Sequence, residues 1–217
     1  MNKALLFDLN GTMVDDMNYH IQAWYRISRE LGATLSLEEV KAECYGKNGE
    51  VLERIFPGRF NEEEKNKISI EKEIQYRREF KPYLKLLDGL DAFLALAHQQ
   101  GWKMAIGSAA IMSNVDFVLD GLHIRHYFGA VVSADQVVHS KPDPETFLSC
   151  ARLLDTEPAN CIVFEDAPKG VESAQRAGMN AVILTTMHEE YEFSQYPNTL
   201  LFTPDYTHPA LPELLKK

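Results

Sequence analysis

The chain has 217 residues, 45% of them hydrophobic and 25% charged, which is enough for one sizeable core and a small second unit. Its formal net charge of −10 speaks against nucleic acid and anionic membranes as partners. It does not speak against an anionic substrate, because a local cation and a bound metal outweigh a global field. Cys44, Cys150 and Cys161 stand far apart with no CxxC pair, so free thiols are expected rather than a disulfide framework or a zinc site.

The first apolar run, residues 4–7, is too short for a helix and reads as a strand buried on both faces. No strand-like run follows until after Asp88. Instead Met17, Ile21, Trp24, Tyr25, Ser28 and Leu31 share one helical face. Ser36 with Glu39 forms a capping box, and Asn61 with Glu64 forms a weaker version of the same start signal. Residues 16–81 therefore read as a helical unit inserted after the first strand, with Lys81-Pro82 as the return hinge. Asp88 is expected to cap a helix carrying Leu90, Phe93, Leu94 and Ala97 that Gly101 stops. Short apolar runs at 104–106, 130–132, 161–164 and 181–184 predict further buried strands. Asp143-Pro144 reads as an N-cap with proline at the first helical position, and Gly178 as the stop of a helix begun near Lys169. The proline-rich tail holds one further strand signal, at 200–202. Strands alternating with helices predict an α/β fold, a doubly wound parallel sheet formed by residues 1–15 and 82–217, with the helical unit as a second domain. No basic segment followed by a long apolar run opens the chain, and no apolar stretch reaches the ~18 residues of a membrane span. A cytoplasmic protein with no membrane partner is expected.

Chemistry-bearing residues recur where strands end. Asp8 closes the first strand in Phe7-Asp8-Leu9-Asn10-Gly11-Thr12. The second strand runs into Gly107-Ser108-Ala109, the segment after the third carries Lys141-Pro142-Asp143, and the fourth ends in Glu165-Asp166. In open α/β sheets, ligands lie beyond the carboxyl ends of the strands, so the fold gathers these four segments. Carboxylates, a hydroxyl and a lysine suit phosphoryl transfer, in which a metal and a cation neutralise phosphate charge.

These four ordered segments, with a helical insertion after the first strand, resemble the haloacid dehalogenase superfamily. Within it, the chain is most similar to the branch of β-phosphoglucomutases and small-molecule phosphatases. The resemblance spans essentially the whole chain. It implies a five-stranded parallel core with the first strand central and a cap domain that sets specificity. It also implies a Mg2+ cofactor and a small phosphorylated metabolite, such as a sugar phosphate, as substrate. Asp8 would be the nucleophile that forms an aspartyl-phosphate, Ser108 would hold a phosphoryl oxygen and Lys141 would pair with Asp8. Asp8, the Asn10 carbonyl, Glu165 and Asp166 would be the metal ligands. Gly11, Thr12, His20, Lys47, Ala109 and Asn114 are the expected substrate contacts, and a monomer or weak dimer is the expected assembly.

The pattern departs from the family at Asn10, where its phosphatases and mutases carry an aspartate that protonates the leaving oxygen. An amide orients groups but exchanges no proton at working pH. Asn10 reads as a substitution of an original aspartate, as native to a protein of reduced or altered activity, as a site that deamidates before Gly11, or as relieved by another base, for which Asp15, Asp16 and His20 are the candidates by proximity along the chain. The mutase's cap arginine corresponds here to Gly49, and its polar residues after the second-strand serine correspond to Ile111 and Met112. These departures weigh against the mutase more than against a hydrolase. A protein that binds phosphorylated ligands with impaired turnover is the reading from another class. Phosphonate hydrolysis through a Schiff base on Lys47 is a further rival.

Overall fold

The computed structural model describes residues 3–216. In chain order the strands are β1 (Ala4–Phe7), β2 (Lys103–Gly107), β3 (Ala130–Val132), β4 (Cys161–Glu165), β5 (Asn180–Leu184) and β6 (Thr199–Thr203). The helices are α1 (Met17–Glu30), α2 (Leu37–Glu43), α3 (Asn48–Ile55), α4 (Glu62–Phe80), α5 (Leu90–Gln99), α6 (Met112–Gly121), α7 (Glu145–Leu153), α8 (Pro168–Arg176) and the short α9 (Leu211–Leu214). The chain divides into two compact units. One consists of the residues up to Asp15 together with those from Lys85 on, and the other is Asp16–Leu84.

The first unit is built on a parallel sheet of order β3-β2-β1-β4-β5-β6. β1 pairs with β2 on one side and β4 on the other, with Phe7 level with both Ile106 and Phe164. The chain winds outward from β1 to β3, then returns to β1's other edge and winds outward again. The topological switch therefore falls at the carboxyl end of β1, where Asp8 follows. The tail signal at 200–202 is the sixth strand, so the sheet has one strand more than the five expected. Alternation along β1 divides its side chains between two cores. Ala4 and Leu6 pack with Phe147, Cys150, Val171 and Ala174. On the other face Phe7 stacks on Phe164 at 4.7 Å between ring centroids, and Phe93 and Tyr206 complete an aromatic cluster.

Two local expectations shift. The N-cap of α5 is Gly89 at φ 80, not Asp88. A Cβ on Gly89 would lie 2.8 Å from the Tyr206 carbonyl carbon, so backbone crowding decides that start. Helix α7 begins at Glu145, one residue later than read, and Asp143 still caps it by accepting from the Glu145 N–H at 2.9 Å. Burial pushes the thiols of Cys44 and Cys150 up to about 12 and that of Cys161 to about 11. All three are free cysteines.

In the second unit both capping boxes form, Ser36 with Glu39 and Asn61 with Glu64. Trp24, Val40, Val51, Leu52 and Phe56 make a small core of their own. Among the described residues no helix is long and apolar enough to cross a membrane.

Candidate active site

Asp8 is buried at the end of β1, and its backbone N–H donates to the Phe164 carbonyl at 2.9 Å. That bond continues the β1–β4 ladder by one residue and fixes the direction of the side chain. The Lys141 ammonium donates to Asp8 Oδ1 at 2.6 Å and to Glu165 Oε1 at 2.7 Å. The second oxygen of Glu165 accepts from the N–H groups of Asp166 and Ala167, both at 2.9 Å. Gly170 makes room for that carboxylate: a Cβ there would lie 1.8 Å from Glu165 Oε1. Thr12 Oγ1 donates to Asp166 Oδ1 at 3.2 Å. Ser108, at the end of β2 and 1% exposed, accepts the Ala110 N–H at 3.1 Å. The core segments expected to meet thus do meet: Asp8, Lys141, Glu165, Asp166 and Thr12 form one connected cluster, and Ser108 closes the strand beside it.

The electrostatics follow from three buried carboxylates, Asp8, Glu165 and Asp166, gathered at the Lys141 ammonium. Burial raises Asp8 to about 6, opposed by Lys141 and reinforced by Glu165. Burial likewise raises Asp166 well above its ordinary value, with Glu165 and Asp8 adding to the effect. For Lys141 burial acts against the charge, but Asp8 and Glu165 outweigh it and hold the ammonium above the usual lysine range. The cluster is short of positive charge. A cation that binds oxygen would relieve it, and Asp8, Asp166 and the Asn10 carbonyl are donors of the right kind. Among the described residues no three acidic, histidine or cysteine side chains form an all-protein metal cage. Glu165, expected as a ligand, has both oxygens engaged with Lys141 and backbone N–H groups.

Among the remaining expected residues, Ala109 is half-buried beside Ser108, and Asn114 is buried within α6. Gly11 takes a left-handed φ of 72 and turns the chain back, donating its N–H to the Val14 carbonyl at 2.8 Å. Asn10 lies in this turn, bridged to Val14.

Lys47 and His20 belong to the second unit. Lys47 precedes α3, and its backbone N–H donates to Glu50 at 2.9 Å. His20 is buried on α1, stacked on Tyr76 with 3.7 Å between ring centroids, with Nδ1 2.6 Å from the Lys72 ammonium and Nε2 3.6 Å from Asp16. Tyr76 donates to Asp16, Lys72 to Glu73 at 3.0 Å and Asn48 to Glu73 at 2.8 Å. This buried polar network was missed from sequence apart from Asp16 and His20. Its signal is faint, because α4 is polar around most of its circumference and nothing in its periodicity distinguishes Lys72 from solvated lysines. Of the proposed proton carriers, Asp15 is exposed and Asp16 is buried.

A parallel sheet that delivers two aspartates, a glutamate and a lysine to one carboxyl edge defines an enzyme of the phosphatase and phosphotransferase class. The chain belongs to the haloacid dehalogenase-like hydrolases, whose sequence profile matches residues 5–184. It is 31% identical over 183 residues to a fructose-1-phosphate phosphatase of Escherichia coli strain K12, covering 82% of this chain and 94% of that protein. It is 31% identical over 187 residues to a β-phosphoglucomutase of Bacillus subtilis strain 168, covering 83% and 82%. The crystal structure of a β-phosphoglucomutase from Clostridium difficile superposes with a TM-score of 0.82 at 28% identity, over 95% of this chain and 92% of that one.

Proposed function

We propose that this enzyme is a Mg2+-dependent phosphatase of a small phosphorylated metabolite, a sugar phosphate by preference, working through an aspartyl-phosphate on Asp8. The observation that carries the reading is the buried Asp8–Lys141–Glu165 cluster. It supports the reading because the Asp8 carboxylate and the Lys141 ammonium lie together at the strand ends where ligands sit in open α/β sheets. A carboxylate oxygen of Asp8 attacks phosphorus as the ester P–O bond breaks, the leaving oxygen takes a proton from solvent water and departs as the alcohol, and a second water then cleaves the acyl phosphate to regenerate Asp8 and release phosphate. Lys141 neutralises the phosphoryl oxygens, held in place by Glu165, while Ser108 binds one of them. Mg2+, held by Asp8, Asp166 and the Asn10 carbonyl, would supply further charge neutralisation. In the first unit Gly11, Thr12, Ala109 and Asn114 are proposed substrate contacts; His20 and Lys47 of the inserted unit, each taken within that unit, are proposed separately.

Asn10 supplies no proton to the leaving oxygen, which favours substrates whose leaving group needs little help, or slow turnover with tight binding. The sugar phosphatase and mutase relatives support the sugar-phosphate class. The test is phosphate release over a metabolite panel with Mg2+ and with EDTA, paired with acid-quench trapping of phosphorylated Asp8. Metal-dependent release and a trapped aspartyl-phosphate are expected. Transfer to a second sugar hydroxyl without release would assign the mutase reaction instead. Metal-dependent binding without either reaction would assign a ligand-binding role.

A further inference from the structure

We propose that Thr186 and Tyr206, from the loops after β5 and β6, are positioning residues for the cation site. They clamp the turn that carries the Asn10 carbonyl and the Thr12 hydroxyl.

The turn after β1 is closed internally. Met13 N–H donates to the Leu9 carbonyl and Gly11 N–H to the Val14 carbonyl, both at 2.8 Å. Internal bonds shape such a turn without fixing its tilt relative to the sheet. Two hydroxyls from the outer half of the sheet act on consecutive carbonyls. Thr186 Oγ1 donates to the Gly11 carbonyl at 2.6 Å, and the Tyr206 phenol donates to the Thr12 carbonyl at 3.1 Å. The donors come from different loops, so together they restrain rotation of the turn as a body.

Tyr206 is itself firmly held. Its N–H donates to the Asp88 carbonyl at 2.9 Å. Its ring lies 5.6 Å from Phe164 and 5.7 Å from Phe93 between centroids, and its backbone presses on Gly89. The restraint then passes to the reacting centre, because Thr12 donates its own hydroxyl to Asp166. Two strands that contribute no residue to the chemistry thereby set where Asn10's carbonyl and Asp166 stand. Groups that orient metal ligands typically change metal affinity by 10–100-fold when removed.

This inference rests on the Mg2+ reading above. Titration calorimetry of the full chain with MgCl2 tests it, alongside the Mg2+ concentration that half-activates phosphate release. Tyr206→Phe keeps the ring and removes only the donor, and Thr186→Val is close to isosteric. Each is expected to weaken Mg2+ binding roughly tenfold and to raise the half-activating Mg2+ concentration by the same factor. Thr186→Ser, which keeps a hydroxyl, is expected to restore wild-type affinity. Folded variants with wild-type affinity would overturn the proposal while leaving the Mg2+ reading intact. Wild-type protein that binds no Mg2+ would overturn both. If Tyr206→Phe does not fold, Thr186→Val decides. If neither folds, the hydroxyls hold the fold rather than the site and the proposal fails.

Discussion

Asn10 stands two residues after Asp8, and its amide exchanges no proton at working pH. A carboxylate there would act as general acid and base, a contribution typically worth ~10²–10⁴-fold in rate. Asn10→Asp is therefore expected to raise phosphate release from a model ester at least about a hundredfold, and equal steady-state rates for the two proteins would refute that role. Gly170 limits the site in another way. The Glu165 carboxylate that a Cβ would strike is buried and held by three hydrogen bonds, so it cannot swing aside cheaply. Gly170→Ala is expected to cost about 1–3 kcal/mol of stability, read from urea denaturation, and to lower activity by displacing Lys141's second partner. Asp8 makes the metal-free protein sensitive to pH. Its carboxyl is raised from 3.8 to about 6 in the folded chain. The protonated form therefore stabilises fully below about pH 4, and that contribution is lost as pH rises through about 6. Without metal, the wild type should lose stability relative to Asp8→Asn between pH 4 and pH 7, by at most about 3 kcal/mol. Parallel melting temperatures across that range would contradict this.

At the scale of elements, the inserted unit depends on its helix starts because its core is small. Ser36 accepts the Glu39 N–H while Glu39 accepts the Ser36 N–H at 2.7 Å. Ser36→Ala is expected to cost about 1 kcal/mol in chemical denaturation, leaving the pH profile of activity unchanged. A shifted profile would mean that α2 influences the chemistry. These boxes were legible in sequence because a cap is local: residues three apart supply both halves. The brace on the Lys141 segment was not legible. Glu145 accepts from the Val138 N–H at 3.0 Å and the His139 N–H at 2.8 Å, and Ser173 donates to the Asp143 carbonyl at 2.7 Å. The last of these joins residues distant in the chain, and no spacing rule announces such a contact. The start of α5 was misjudged for the same reason. Asp88 has the right chemistry for a cap, but the approach of the Tyr206 backbone favours Gly89 at that start.

For the whole molecule, the insertion leaves and returns at neighbouring points of the first unit. The Leu87 N–H donates to the Met13 carbonyl at 2.9 Å, which ties the outgoing and returning segments together. The sheet and both its cores lie within that unit. Replacing residues 16–84 by a short glycine-serine linker should leave a folded α/β protein that still binds Mg2+ but discriminates poorly among phosphate esters. Circular dichroism, calorimetry and a substrate panel check this, and an unfolded product would show that the insertion is needed for stability.

By itself the sequence determined the strand runs, the two capping boxes of the inserted unit, the insertion after β1 and the four segments that carry Asp8, Ser108, Lys141 and Glu165-Asp166. Each of these depends on periodicity or on neighbours a few residues apart. It also established the opening constraint, an acidic chain in which a local cation and a bound metal have to outweigh the global field. Only the tertiary structure decided how that cluster is wired: Lys141 between Asp8 and Glu165, Glu165 against Gly170, and the Asn10 turn braced from β5 and β6. Those contacts join residues up to 194 positions apart. They form because a parallel sheet brings the carboxyl ends of distant strands to one edge, a proximity that chain order alone does not reveal.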